Sequence, residues 1–369
     1  MPERRHGRAR SGRRTRTRGT SGLRRAAGSR GRSGLRGAAG SRGRKQGRSA
    51  GRTLGVVSAA AAAVGVAGLS WALFEARWYT LRQVRVPVLE PGAEDVRVLH
   101  VSDLHLVPSQ EAKRRWVRRL VYHDPHLVIN TGDNMGHPDA LPAVLDALAP
   151  FLVRPGAFVM GSNDYFSPQP KNPARYLAGH TGFAASNRSV RDIPGLELAE
   201  AFRASGWHDL NNARATINVE GREISLVGTG DAHIEEDHFP APAGAGLAGG
   251  QEAIGGDSRA DTLHIGVTHA PYARVLQQMQ ADGTDIVFAG HTHGGQLCVP
   301  GYGALVTNCD LDPGRAKGLH GWPGPRPDEP GGEESMWLHV SAGLGTSPYA
   351  PVRFGCRPEA SLVTLTARE

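Results

Sequence analysis

Apolar and polar positions divide the chain into a polar start, one long uncharged stretch and a body in which short apolar runs alternate with amphipathic segments. In the body, residues 97–102, 126–130, 157–160, 263–267, 286–289, 337–341 and 361–365 read as strands. Residues 213–219 and 223–227 read as a hairpin turning at Glu220-Gly221. Residues 111–122 place Trp116, Val117, Leu120 and Val121 at helical spacing, and 141–152 give a second helical pattern. Strands alternating with helices predict an α/β fold of βαβ units. Residues 240–260 and 323–334 are rich in Gly and Pro without periodicity and read as surface loops. Residues 76–95 read as a linker, and 96–369 as one domain.

The stretch from Leu54 to Phe74 carries no charge. At about 1.5 Å rise per residue it matches a hydrocarbon core of about 30 Å. Arg48 and Arg52 flank it on one side, Trp71, Trp78 and Tyr79 on the other, as at the two faces of a bilayer. This predicts a transmembrane helix over 53–75; a buried helix and a cleaved signal peptide fit the apolar stretch less well. Charge then changes the picture of the ends. Residues 1–52 hold 18 Lys and Arg and one acid, Glu3, which leaves the rest with 25 basic and 34 acidic side chains. The net +8 therefore describes neither part. With almost no large apolar residue, the tail is expected to be disordered and to stay cytoplasmic, with the acidic body across the membrane. Nothing basic or aromatic in the body calls for a specific nucleic acid partner. Cys298, Cys309 and Cys356 have no paired-ligand spacing and read as buried free thiols, with a Cys298–Cys309 bridge as the other option.

The chemistry gathers where strands stop. The first strand runs into Asp103-Leu104-His105, the second into Gly132-Asp133-Asn134, the third into Gly161-Ser162-Asn163-Asp164. Later strands run into Thr268-His269 and into Gly290-His291-Thr292-His293-Gly294-Gly295. Asp103 to Asp133 and Asp133 to Asn163 are each 30 residues, about one strand–helix unit. Ligands in α/β sheets collect beyond the carboxyl ends of strands, so these segments can converge. Period-2 alternation is expected to turn Asp103 with His105, and His291 with His293, to one side. Each motif alone is weak: a Gly-Asp before a helix is usually a cap, and a single His is usually core. Five in order, all at strand ends, point to metal. Carboxylate, amide and imidazole donors without thiolate suit Mn, Fe or Zn, and two such ions suit phosphoryl transfer.

These motifs resemble those of the calcineurin-like metallophosphoesterase superfamily. The run from His339-Val340-Ser341-Ala342-Gly343 to Arg353-Phe354-Gly355-Cys356-Arg357-Pro358-Glu359 resembles its membrane-anchored bacterial branch. The resemblance implies a four-layer αββα sandwich of two mixed sheets and two divalent or trivalent metal ions. It implies that Asp103, His105 and His293 hold one metal, His269 and His291 the other, and that Asp133 bridges. The family pattern Gly-Asn-His-Asp/Glu is altered here: Ser162 stands for its Asn ligand and Asn163 for its His acid. Asn163 is therefore the expected amide ligand, and Asp164 or His233, in Gly230-Asp231-Ala232-His233, the expected assistants to catalysis.

The function implied is a phosphohydrolase at the cell membrane, cleaving a phosphoester or pyrophosphate of a small molecule or lipid. A headgroup or a pyrophosphate like that of UDP-2,3-diacylglucosamine is the candidate substrate. A protein phosphatase or nuclease, and a non-catalytic metal-binding interaction domain, are the rival readings.

Overall fold

The computed structural model describes residues 46–169, 190–241 and 262–369. The expected disordered tail lies outside these residues apart from 46–52, which are helical, and most of the expected 240–260 insertion also lies outside them. Helix α1 (Gln46–Glu75) includes Val56–Glu75, which is long and apolar enough to cross a membrane, with a mean hydropathy of 1.9.

Two six-stranded sheets follow. In chain order the strands of the first are β1 (Thr80–Leu89), β2 (Val96–Val101), β3 (Leu127–Asn130), β4 (Gly156–Phe158), β5 (His208–Asp209) and β14 (Glu359–Ala367). Those of the second are β6 (Ala213–Val219), β7 (Arg222–Gly228), β8 (Leu263–Thr268), β9 (Ile286–Ala289), β12 (Gly318–Trp322) and β13 (Met336–Val340). Side by side, the order is β1-β14-β2-β3-β4-β5 in the first sheet and β12-β13-β9-β8-β7-β6 in the second. Both sheets are mixed: β2, β3, β4 and β5 run parallel while β14 is antiparallel to β2, and β7, β8, β9 and β13 run parallel between antiparallel edges.

Alternation along the strands builds the layers. In β2, Val96 and Val98 face the other sheet, where they pack with Ile129, Ile265, Phe288 and Val363. Leu99 and Val101 face outward onto α2 (Glu111–Arg119), α3 (Leu141–Leu148) and α4 (Gly195–Ala204) through Val117, Val144 and Phe202. On the far side, Val287 and Leu338 pack on α5 (Ala273–Ala281) through Val275, Leu276 and Met279. The expected αββα sandwich is the observed one.

Two readings need correction, the linker and the helix bounds. Residues 76–95 are not a linker: ten of them form β1, paired in parallel with β14, its Val86, Val88 and Leu89 buried in the inter-sheet core. Pro87 is tolerated because β1 is an edge strand. Residues 323–334 are a surface loop, as read, built as a chain of turns with Glu329 N–H to Arg326 O at 2.9 Å and Gly332 N–H to Glu329 O at 3.0 Å. The helix expected over 141–152 stops at Leu148, and the one over 111–122 tightens at Leu120 into a 3₁₀ turn. Cys298, Cys309 and Cys356 are buried free thiols, and Cys298 packs with Cys356, not with Cys309.

The end of α1 is bound to the body. The Glu75 carboxylate accepts the N–H of Cys356 at 2.8 Å and of Gly355 at 3.1 Å, and Arg353 N–H donates to Ala72 O at 3.0 Å. Thr80 N–H then pairs with Pro358 O at 2.9 Å, so β1 starts without slack.

Candidate metal centre

The strand ends converge at one edge of the sandwich. β2 and β3 deliver Asp103, His105 and Asp133, the turn after β4 delivers Asn163, β8 delivers His269, and β9 delivers His291 and His293. Backbone bonds tie these loops to each other: Asp103 N–H to Gly132 O, His105 N–H to Asp133 O and Gly290 N–H to His269 O, each 2.9 Å. Asp103, His105, Asp133, His291 and His293 all have positive φ, between 40° and 68°. The expected period-2 alternation therefore does not aim these side chains, because β2 ends at Val101 and β9 at Ala289. They are aimed by left-handed backbone that non-glycine residues adopt rarely and that clusters at functional sites. Close approach also requires Gly161 and Gly290: a Cβ on the first would strike Asp133 Oδ1, and on the second Ser102 Oγ.

The donor atoms face each other. His105 Nε2 and His293 Nε2 are 3.1 Å apart, and Asp103 Oδ1 is 3.6 Å from His293 Nε2. Asp133 Oδ2 lies 3.5 Å from His105 Nε2 and 3.6 Å from His269 Nε2, between the two halves. Two groups of buried donors can each hold a metal ion: Asp103, His105 and His293, and Asp103, Asp133 and His269. His291 stands outside both groups, its ring 5.2 Å from that of His269.

Three observations test whether these residues fit cations. Asp103 Oδ1 and His269 Nε2 are buried without a hydrogen-bond partner, which is costly unless something positive sits there. His269 Nδ1 lies 2.6 Å from Thr131 O; a carbonyl only accepts, so Nδ1 carries a proton and Nε2 is the nitrogen left to face the centre. His293 Nδ1 lies 3.2 Å from Gly345 O and 3.3 Å from Arg353 Nη2, and His291 Nε2 lies 3.2 Å from Asn308 O, contacts that hold both rings in place. The donor set fits.

Electrostatics agree. Burial raises the Asp103 pKa to about 6, against the pull of His269. Burial also opposes ionisation of Asp133, but His269 and His105 outweigh it and hold its pKa below the usual carboxylate range. Burial would lower His269, yet the carboxylates of Asp133, Asp231 and Asp103 raise it to about 9. Burial brings His105 down to about 4, and burial with neighbouring imidazoles holds His291 and His293 well below their usual value. The centre is a buried carboxylate cluster that favours positive charge.

At the altered motif, Asn163 meets Asp133. Its backbone N–H donates to Oδ1 and its side-chain amide to Oδ2, both at 2.7 Å. Asp164 does something else: its carboxylate accepts the backbone N–H groups of Asp133 and Asn134 at 2.8 Å each and of Gly161 at 3.1 Å. It braces two ligand loops. His233 lies beside His291, ring centroids 4.4 Å apart, with Nδ1 3.2 Å from the Tyr272 hydroxyl.

Two neighbours of the centre have roles that the sequence did not assign. Asp231 is buried at the end of β7, one oxygen without a partner, and burial raises its pKa to about 6. Gly230-Asp231 repeats the strand-end Gly-Asp of Gly132-Asp133, a signal that was present. Among the described residues Arg353 is the largest fully buried side chain; its Nη2 donates to Ala342 O and Gly345 O at 2.7 Å each, and Nη1 to His293 O at 3.2 Å. Nothing in its local sequence marks that role.

A family model described as calcineurin-like phosphoesterase matches residues 96–295, the segment that contains every residue of the centre. The chain belongs to this family. As a calcineurin-like phosphoesterase it is a hydrolase acting on phosphoester bonds. It is 26% identical over 282 residues to the uncharacterized protein YpbG of Bacillus subtilis, covering 75% of this chain and 84% of that protein. It is 26% identical over 311 residues to the UDP-2,3-diacylglucosamine pyrophosphatase LpxG of Chlamydia trachomatis, covering 73% and 83%. The phosphodiesterase YaeI of Escherichia coli is 24% identical over 294 residues, covering 79% and 90%.

Proposed function

We propose that this phosphoesterase holds two metal ions and cleaves a lipid-linked phosphoester or pyrophosphate at a membrane surface. The observation that carries the reading is the set of buried, mutually facing donors at the strand ends, two of them without partners. Asp103, His105 and His293 hold one ion, His269 and His291 the other, and Asp133 lies between them. Asn163 joins through its amide oxygen, since an amide binds hard cations well and the hydroxyl of Ser162 does not. Two bound cations supply Lewis-acid stabilisation of phosphoryl oxygens and lower the pKa of water. The chain's own residues orient the imidazoles through Thr131, Asn308 and Gly345, exclude water by burial, and keep Asp133 ionised.

The apolar span supports the membrane half of the proposal, and the relative named for a diacylglucosamine pyrophosphate supports the lipid half. The chain divides into a basic tail, a span and a catalytic body, with the tail cytoplasmic and the body on the opposite face, because cationic flanks stay inside. With no imidazole at position 163, a leaving group has weak acid assistance there. General acid help is worth about 10²–10⁴-fold, so pyrophosphates and aryl esters are favoured over alkyl phosphates by a ratio of that order. The test is turnover by the full chain in detergent with added Mn, on bis-p-nitrophenyl phosphate, a pyrophosphate and an alkyl phosphate, alongside elemental analysis. Two metals per chain and the stated preference are expected; equal rates on alkyl and aryl esters refute the leaving-group reading.

A further inference from the structure

Two loops leave the metal centre toward the end of α1. One continues from His293 through Gly294-Gly295-Gln296 into the hairpin of β10 (Cys298–Val299) and β11 (Gly303–Ala304). The other runs from Gly345, whose carbonyl faces His293 Nδ1, to Phe354. They are joined to each other by Cys298 N–H to Phe354 O at 2.7 Å, Phe354 N–H to Gln296 O at 3.1 Å and Gln296 Nε2 to Ala350 O at 2.9 Å. They are joined to α1 by Arg353 N–H to Ala72 O and by the Glu75 carboxylate.

The composition of both loops is unusual for surface. In a chain that is 21% charged, neither residues 294–309 nor residues 343–352 contain a charged side chain. Leu297, Val299, Leu305, Tyr349 and Phe354 are exposed, and Tyr302 at the hairpin tip is 77% exposed. Beside them stand exposed Trp71 and Phe74 of α1 and Trp78 just after it, whose ring centroids lie 5.6–6.2 Å apart. The Arg357 guanidinium stacks 3.9 Å over Trp78 and donates to its carbonyl at 3.1 Å. An aromatic cluster capped by an arginine at the end of an apolar helix is the composition of a membrane–water interface. Tyr122, on the turn after α2, is exposed as well but lies outside these two loops.

We propose that the 297–305 hairpin and the 346–354 loop insert into the bilayer interface beside α1, so that the metal centre opens onto lipid. The occupant of this apolar surface is the bilayer, because the surface continues that of the candidate span and hydrogen bonds hold it against the last turn of the helix. β1 begins at Thr80, so the chain between Glu75 and the sheet leaves no length for the body to stand away from the membrane. The substrate this placement admits is a phosphate whose leaving or retained group is anchored by acyl chains, delivered sideways from the bilayer. This rests on the phosphohydrolase reading above for the chemistry, but not for the membrane contact.

The experiment uses the full chain in phosphatidylcholine vesicles. An environment-sensitive fluorophore is placed on Tyr302→Cys and, separately, on Tyr122→Cys; the three native thiols are buried. At 302 we expect blue-shifted emission quenched by acyl-brominated lipid, and at 122 neither effect. Water-like emission at both positions, or a blue shift at 302 that brominated lipid does not quench, overturns the proposal and points to a protein surface instead. The paired variant Tyr302→Asp with Leu305→Asp should keep turnover of soluble bis-p-nitrophenyl phosphate within about twofold and lower turnover of a vesicle-embedded phosphodiester by about tenfold or more. An equal fall on both substrates means that the loops serve folding, and equal rates mean that they serve neither; either result overturns it. If the wild type turns over neither substrate, the phosphohydrolase reading fails, while the fluorophore still decides the bilayer contact.

Discussion

Two pairs of buried histidines meet across the two sheets, and they behave differently. His100 on β2 and His339 on β13 bring their Nδ1 atoms to 3.0 Å in the middle of the sandwich. His105 and His293 bring their Nε2 atoms to 3.1 Å at its edge. The distances match, although His293 at the edge is only partly buried, and the surroundings differ. The central pair sits on regular strands, packs edge-on against Phe288, and His100 Nε2 is satisfied by Thr131 Oγ1 at 2.9 Å. No carboxylate bonds to it among the described residues. The edge pair stands on left-handed backbone, His105 Nδ1 has no partner, and Asp103 and Asp133 approach within 4.0 Å. A close pair of imidazoles is therefore not in itself a metal site. Nearby carboxylates and strained backbone separate a site from a satisfied core.

The largest effect that would break this comparison belongs to Asp133→Asn. Removing the central carboxylate should release metal and lower turnover by about 10³-fold or more, since Lewis-acid stabilisation is worth several kcal/mol. Elemental analysis of the purified variant checks it; full metal content at wild-type rate refutes the edge assignment. Next, Asn163→Ala should weaken metal affinity by about 10–100-fold, the range for groups that hold ligands in place, whereas Ser162→Ala should change it little. Metal titration of the two variants reads the difference, and the reverse order assigns the ligand to Ser162.

The central pair predicts the opposite signature. His339→Leu leaves His100 Nδ1 without a partner and should destabilise the fold by about 1–3 kcal/mol while metal content stays as in the wild type. Thermal unfolding together with elemental analysis separates the two. The smallest effect is in the pH dependence. Burial brings the His339 pKa down to about 3, with the nearby His320 adding to it, and holds His100 well below its usual value. These groups bind protons in the unfolded chain but not in the fold. Their contribution is fully present above the unfolded value near 6.5 and is lost as pH falls toward 3. His339→Leu should flatten the fall in unfolding temperature between pH 6.5 and 4 relative to the wild type. An unchanged slope would mean that other groups govern the acid limb.

Most strands were legible from their apolar runs, because both sheets are buried on both faces and their central strands are nearly continuous hydrophobic segments. β1 was not. Arg82, Gln83, Arg85 and Pro87 interrupt its alternation, and its partner β14 lies about 280 residues away. The helix α5 and the bracing role of Asp164 were likewise missed or misread. A carboxylate that accepts four backbone N–H groups carries the same sequence as one that donates a proton.

The sequence alone determined the candidate ligands, their order and their place at strand ends, since the chemistry of metal binding restricts side-chain types and the βαβ repeat restricts spacing. It also determined the apolar span and the charge step beside it, which depend on composition summed along the chain. Only the tertiary structure decided which facing histidines have carboxylates beside them and which are enclosed in the core. His100 lies three residues from Asp103, yet it belongs to the core. That choice is made by positive-φ turns beyond the strands and by contacts such as His293 with Arg353 and Glu75 with Cys356, between residues 60 and 281 positions apart. Local pattern carries no information about such distant partners, because their energy appears only when two sheets have closed on one another.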